Sequence, residues 1–250
     1  MHALDKHRMI SVSFGAPLLA GSLIQRSKRF FVDARLDDGR VVTAHTANTG
    51  AMTGLLDVGN RVLLTHEPKP TRTLDYSLQA IHARGAWVGV NTLLPNRLVE
   101  RAICAGAILE LDPDATIRRE VPYDDGGRAD LLVDDGAGPP VFVEVKSVTL
   151  KGANDRALFP DAPSERGLRH LHQLTRVVER GGRAALVLLV QRDDCVEVAP
   201  AAHVHPAYAR AFVEAYEAGV RIIGLKARVT DEGVALDERI PIAFLPYERA

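Results

Sequence analysis

Cysteine is nearly absent from the chain. Cys104 and Cys195 are its only two, far apart and in no CxxC pair. That scarcity excludes a disulfide scaffold and a thiolate zinc site and suits a reducing cytosol. Net charge is also missing, at −1, so any contact with nucleic acid has to come from a local patch and not from bulk basicity. No run approaches the roughly 18–20 apolar residues that a membrane span requires, so no membrane partner is expected. Met1 to Phe14 carries charges throughout and no apolar core, so no signal peptide is expected and the expected location is the cytoplasm. There is no phosphate-cradling glycine loop, no GxSxG elbow and no dinucleotide fingerprint, which sets aside the nucleotide-binding and serine-hydrolase classes that use them.

What remains is a chain of 250 residues, 46% hydrophobic and 25% charged, the composition of a soluble globular protein with room for one large domain or two ordinary ones. Residues 1–17 read as a lead-in ending at Pro17. From Gly21 to Leu36 the pattern alternates, with Phe30, Val32, Ala34 and Leu36 on one face. Asp38-Gly39 signals a hairpin, and further short strands and turns follow to about Gly85. Short strands at this spacing predict a small β-barrel of OB size over residues 1–85. Within it, Arg26, Lys28 and Arg29 stand beside Phe30 and Phe31. Such a cluster can clamp a phosphate backbone while a ring stacks on a base, and equally can be a solvated strand edge. His45 and Asn48 read first as turn residues bonded to their own backbone, with ligands or base readers as the alternative.

From residue 86 to 250 the pattern changes to α/β. Pro95 to Gly106 predicts a helix with Leu98, Val99, Ala102 and Ile103 as its apolar stripe. Three strands follow, over Thr116 to Tyr123, Arg128 to Val133 and Val141 to Leu150. Ser164 caps a helix running to about Glu179, Arg183 to Val190 is a strand buried on both faces, and Pro206 to Ala218 and Val220 to Leu225 are a last helix and strand. The fold class expected is therefore α+β with two domains.

On the third of those strands Val141, Val143 and Val145 point one way and Phe142, Glu144 and Lys146 the other. Asp130, on the partner strand of the hairpin, can converge on the same patch. Two carboxylates hold a hard divalent cation, and a lysine beside them holds an anionic oxygen or orients a water nucleophile. The plain alternative is a sheet face with a chance acid and base. The spacing Asp-x13-Glu-x-Lys, in the order helix, three strands, helix, strand, resembles the core of the PD-(D/E)xK nuclease superfamily. On that resemblance Asp130 and Glu144 bind Mg²⁺ or Mn²⁺ with the Val145 carbonyl as a third ligand, Lys146 is catalytic, and Glu100 is the extra carboxylate that the superfamily often places on its first helix. A solvated helix-surface Glu is the ordinary alternative for Glu100. On the next helix Arg166 and His170 are four apart and share a face, as do Arg169 and Gln173, and either pair can touch a phosphate.

A wider resemblance covers roughly residues 18–225. Arg26-x-Lys28-Arg29-Phe30, Asn48-Thr49-Gly50-Ala51-Met52, Val90-Asn91-Thr92, Pro95-Asn96, Glu144-Val145-Lys146-Ser147, Phe159-Pro160-Asp161-Ala162 and Arg166-Gly167-x-x-His170-Leu171 together resemble the sugar fermentation stimulation protein A family. The resemblance implies an OB-like domain followed by a nuclease-like one, and DNA binding without marked sequence preference; for a nuclease, RNA is the other candidate substrate. It also implies an alternative function, that of a non-catalytic DNA-binding regulator of maltose metabolism. The chain departs from the family where His45-Thr46-Ala47 replaces His-Cys-Pro, and where Gly127-Arg128-Ala129-Asp130-Leu131 replaces Ser-Arg-x-Asp-Phe. Neither change removes Asp130, Glu144 or Lys146.

Overall fold

The computed structural model describes residues 9–243 apart from positions 69, 72 and 125. The expected lead-in over 1–8, the end of the expected second domain over 244–250 and the turn residue Asp125 lie outside the described residues.

After β1 (Ser11–Ser13), the strands β2 (Leu18–Ser27), β3 (Phe31–Leu36), β4 (Val41–His45), β5 (Arg61–His66) and β6 (Tyr76–Ala83) pair in the order β4-β3-β2-β5-β6. A parallel pairing of Ala44 and His45 with Tyr76 and Ser77 closes the ring into a five-stranded barrel of OB topology. β7 (Ala86–Gly89) hangs on β6 and extends this sheet past residue 85. Val32, Ala34 and Leu36 are buried in the barrel core with Leu23, Val62, Leu64 and Ile81. Phe30 leaves the expected alternation: the chain reverses at Lys28–Phe30, so Gly21 to Leu36 is a hairpin and Phe30 stands at its tip, 45% exposed. Gly21 permits the close approach of the two strands, since a Cβ there would lie 2.5 Å from the Arg35 carbonyl oxygen.

The second half runs α1 (Pro95–Cys104), β8 (Thr116–Pro122), β9 (Arg128–Asp134), β10 (Val141–Val148), β11 (Leu150–Lys151), β12 (Arg156–Phe159), α2 (Glu165–Glu179), β13 (Arg183–Val190), β14 (Glu197–Pro200), α3 (Pro206–Glu217), β15 (Arg221–Val229) and β16 (Gly233–Arg239). Its main sheet has the order β1-β16-β15-β13-β10-β9-β8. Pro95 starts α1 where a missing N–H costs nothing, and Leu98, Val99, Ala102 and Ile103 bury its inner face. The Ser164 hydroxyl caps α2 by accepting from the Gly167 N–H at 3.0 Å. β13 lies between two parallel neighbours, β10 and β15, which is why its run is apolar on both faces. α1 covers one face of the sheet, against Val141, Val143 and Val145; α2 and α3 cover the other, with Phe142. The second half is thus a mixed α/β sheet with helices on both faces.

Two placements depart from the sequence reading. Ser11–Ser13, counted with the lead-in of the first domain, pairs with β16 at the edge of the second sheet. The strand expected over Val220 to Leu225 continues to Val229 and turns back as β16, which the sequence reading left out along with β11, β12 and β14. Among the described residues, no helix is long and apolar enough to cross a membrane.

Candidate metal site and nucleic-acid cleft

The site begins where β9 leaves β10. Their ladder ends at the pair Val143 and Leu131, so the next inward N–H of β10, that of Val145, loses its strand partner. The side chain of Asp130 supplies the replacement: its Oδ2 accepts from the Val145 N–H at 2.7 Å and its Oδ1 from Asn96 Nδ2 at 2.9 Å. Glu144 projects from the α2 side of β10 and is 2% exposed. Its Oε1 accepts from Lys146 Nζ at 2.5 Å and from His170 Nδ1 in a short contact. Arg166 Nε donates to His170 Nε2 at 3.4 Å, which makes that nitrogen the acceptor and Nδ1–H the donor to Glu144. Lys146 Nζ, 3.1 Å from the same Nδ1, then belongs to Glu144 and not to the imidazole.

The two carboxylates are shifted in opposite directions. Burial, then the neighbouring Glu144 charge, raises the Asp130 pKa against the Val145 N–H, Lys146 and Asn96. Burial also pushes the Glu144 carboxyl up, but Lys146 and His170 outweigh it and hold it below the usual range. Glu144 Oε2 is buried and has no hydrogen-bond partner among the described residues. An anionic oxygen left bare in a dry place is costly unless a cation or water meets it. Asp130 keeps acceptor capacity on both oxygens. Among the described residues no cluster of three or more His, Cys, Asp and Glu could hold a metal. Two carboxylates with the remaining positions left to water and backbone suit Mg²⁺ or Mn²⁺, and do not suit Zn²⁺. The donor set therefore fits the expected ion.

Glu100 is not brought to this site. It faces away from Asp130 and pairs with Arg119 at 2.6 Å, in a separate hollow with Arg97, Arg101 and Cys104. Asn96, one turn earlier on α1, takes the place that the sequence reading gave to Glu100. The signal was present in the Pro95-Asn96 pair, which carried no chemical role in that reading.

The barrel forms the facing wall. Arg26, expected to grip phosphate, has its guanidinium spent on backbone: it donates to the carbonyls of Arg29, Asn48 and Gly50, each at 2.8 Å. Burial lowers its pKa while Asp161 opposes that shift. Arg26 thus positions the turn after β2 and the loop at 48–51. Lys28 and Arg29 are exposed at the tip, at φ +49° and +64°, a region that side chains other than glycine and asparagine rarely occupy. Asp161 Oδ2 accepts from the Met52 N–H at 2.8 Å, its carbonyl accepts from Thr53 Oγ1 at 3.1 Å, and Thr92 Oγ1 donates to the Ala47 carbonyl at 3.0 Å. These three bonds tie the barrel loop to the second half of the chain. Between the two lies a cleft of about 700 Å³ whose lining includes Arg29, Asp130, Glu144, Lys146, Arg166 and His170. Arg26 also borders it, whereas Lys28 stands outside its lining.

Residues 24–90 match the family described as the SfsA N-terminal OB domain, and residues 93–233 the one described as the sugar fermentation stimulation protein RE domain. The chain is 46% identical over 226 residues to a sugar fermentation stimulation protein homolog of Citrifermentans bemidjiense, covering 90% of this chain and 97% of the relative. It is 45% identical over 232 residues to the homolog of Thioalkalivibrio sulfidiphilus, covering 92% and 98%. Among solved structures, SfsA of Pyrococcus furiosus in complex with Ca²⁺ superposes with a TM-score of 0.84 at 26% identity, over 95% of this chain and all of the other.

Proposed function

The chain belongs to the sugar fermentation stimulation protein family, and from that premise we propose that it binds nucleic acid in the cleft and cuts phosphodiester bonds there with a divalent cation. The carrying observation is the bare, buried Oε2 of Glu144 beside Asp130, at the floor of a cleft walled by arginines. The Pyrococcus furiosus relative is in complex with Ca²⁺, which supports divalent-cation binding by this chain. Asp130, Glu144 and the Val145 carbonyl are the cation's ligands, with Mg²⁺ or Mn²⁺ the working ion. When bound, the ion supplies Lewis acidity at the phosphate and a water nucleophile of lowered pKa.

The protein's own groups do the rest. Lys146, held against Glu144, offers its remaining protons to a phosphate oxygen or to the attacking water. His170 fixes the Glu144 carboxylate, and Arg166 holds the imidazole tautomer that does so. Arg29 and Arg166 attract the polyanion into the cleft. The protein acts in the cytoplasm, where the thiols of Cys104 and Cys195 stay free.

The test is Mg²⁺- or Mn²⁺-dependent cleavage of labelled DNA and RNA, with Glu144→Gln and Lys146→Ala beside wild type. Loss of one transition-state contact from Lys146 lowers the rate ~10²–10³-fold. Activity surviving both substitutions comes from a contaminant. Binding without any cleavage by wild type supports the regulator reading and sinks this one.

A further inference from the structure

We propose that the polynucleotide this site takes is single-stranded, threaded between the barrel tip and the outer face of α2. The inference rests on the cleft being a nucleic-acid site, and three features carry it beyond that reading.

The first is size. A cleft of about 700 Å³ lies in the range of small-molecule pockets, ~300–1,000 Å³, space at the carboxylates for one or two nucleotides. The bonds from Asp161 to Met52 and Thr53, and from Thr92 to Ala47, join its two walls and oppose their parting.

The second is continuity. A further hollow of about 590 Å³ shares Asp130, Arg166 and His170 with the first, so Asp130 lies where the two meet. Arg128, Arg169 and Arg176 also line it, against Glu120 as its one acid besides Asp130. Arg128 and Arg169 are exposed and form no ion pair among the described residues. A basic track thus leaves the metal site on the side away from the barrel, as a strand running past the scissile bond requires.

The third is the barrel tip. In OB folds the loop between the first two barrel strands is among the parts that meet oligonucleotides. Here that loop is Lys28–Phe30: it places Arg29 on the cleft, and Phe30, the next residue in the chain, is 45% exposed outside the cleft lining. A ring next to phosphate-binding cations is the pairing that captures unpaired bases, since stacking needs a free base face.

The experiment uses full-length Glu144→Gln without added metal, so that binding is read apart from cleavage. A labelled 20-nucleotide single strand, the same sequence as blunt duplex, and a duplex with a single-stranded tail are titrated at several salt concentrations. The single strand and the tailed duplex are expected to bind at least about tenfold more tightly than the blunt duplex. For the single strand, log K should fall with log salt by about 0.7 per neutralised phosphate, and adding Arg128→Gln and Arg169→Gln should flatten that slope by roughly 1.4. Adding Phe30→Ala should weaken single-strand binding ~5-fold or more without changing the slope. A ribo-oligonucleotide of the same sequence separates the two sources of single strand, and tight binding of either supports the proposal. Equal or tighter binding of blunt duplex, or an unchanged slope in folded Arg128→Gln/Arg169→Gln protein, overturns it. Strand-selective binding without cleavage by wild type leaves the proposal standing and removes the nuclease reading. Cleavage confined to blunt duplex does the reverse.

Discussion

The carboxylate of Asp161 accepts the backbone N–H of Met52 at 2.8 Å, across the cleft from one domain to the other. The same carboxylate faces Gly50, where a Cβ would lie 3.2 Å from each of its oxygens, and it opposes the effect of burial on the Arg26 guanidinium. One side chain therefore fixes the loop that forms the cleft wall. Asp161→Ala should leave the Met52 N–H without its partner and cost about 1–3 kcal/mol. Because the loss lies at the domain contact, affinity for oligonucleotide should fall together with melting temperature. Denaturant unfolding and binding titrations of the same preparation check this; lost stability with unchanged affinity would separate the clasp from the cleft.

The turn at Lys28 and Arg29 is built against backbone preference. Each residue sits at positive φ without being glycine or asparagine, at a cost on the order of 1 kcal/mol or more. Strain kept at an exposed cationic tip points to a binding role. Lys28→Asn with Arg29→Gly should relieve it, raising the melting temperature by roughly 3–6 °C for a chain of this size. The same pair should weaken nucleic-acid binding and flatten its salt slope by up to about 1.4–1.8. A variant that is more stable and binds as well as wild type would deny the tip any role.

That Glu144 and Lys146 share a face was legible because a strand has period two, with Val141, Val143 and Val145 turned together into the core. Ser164 and the apolar run at Arg183–Val190 were legible for similarly local reasons, a cap and a doubly buried strand. The turn at Lys28–Phe30 was not, since it lacks the Asn-Gly signature of a reversal. Nor was the pairing of Ser11–Ser13 with Gly233–Ala235, which joins segments from opposite ends of the chain. Arg26 misled because its partners are carbonyl oxygens, which every residue carries and no sequence pattern reveals.

Metal binding should depend on pH through Asp130. Burial and the Glu144 charge raise its folded pKa above the unfolded value, so without metal its contribution to stability is present at low pH and lost as pH rises through the folded value. A cation binds the deprotonated form, so below that value its affinity should fall ~tenfold per pH unit. At ~100 times its dissociation constant the ion contributes about 2.7 kcal/mol, a rise of roughly 5–10 °C. That rise should grow with pH through the acidic range and vanish in Asp130→Asn. Melting curves with and without Mg²⁺ across pH decide it; a rise independent of pH, or kept in the variant, would place the ion elsewhere.

Asn96 and Glu100 lie one turn apart on α1, and only Asn96 touches the site. Its Nδ2 donates to Asp130 Oδ1 and so favours the charged carboxylate that a cation needs. Asn96→Ala should remove that help, raise the Asp130 pKa further and move the pH profile of the metal-induced stabilisation toward higher pH. Glu100→Gln should leave the profile where it is. Its partner Arg119 is largely exposed, so the lost pair should cost no more than about 1 kcal/mol. Running both variants through the same pH series with Mg²⁺ separates the two roles, because a general loss of helix stability would lower all melting temperatures without displacing the profile. If Glu100→Gln shifts the profile and Asn96→Ala does not, the carboxylate on α1 reaches the ion after all, and Asn96 is only a helix residue that happens to face Asp130.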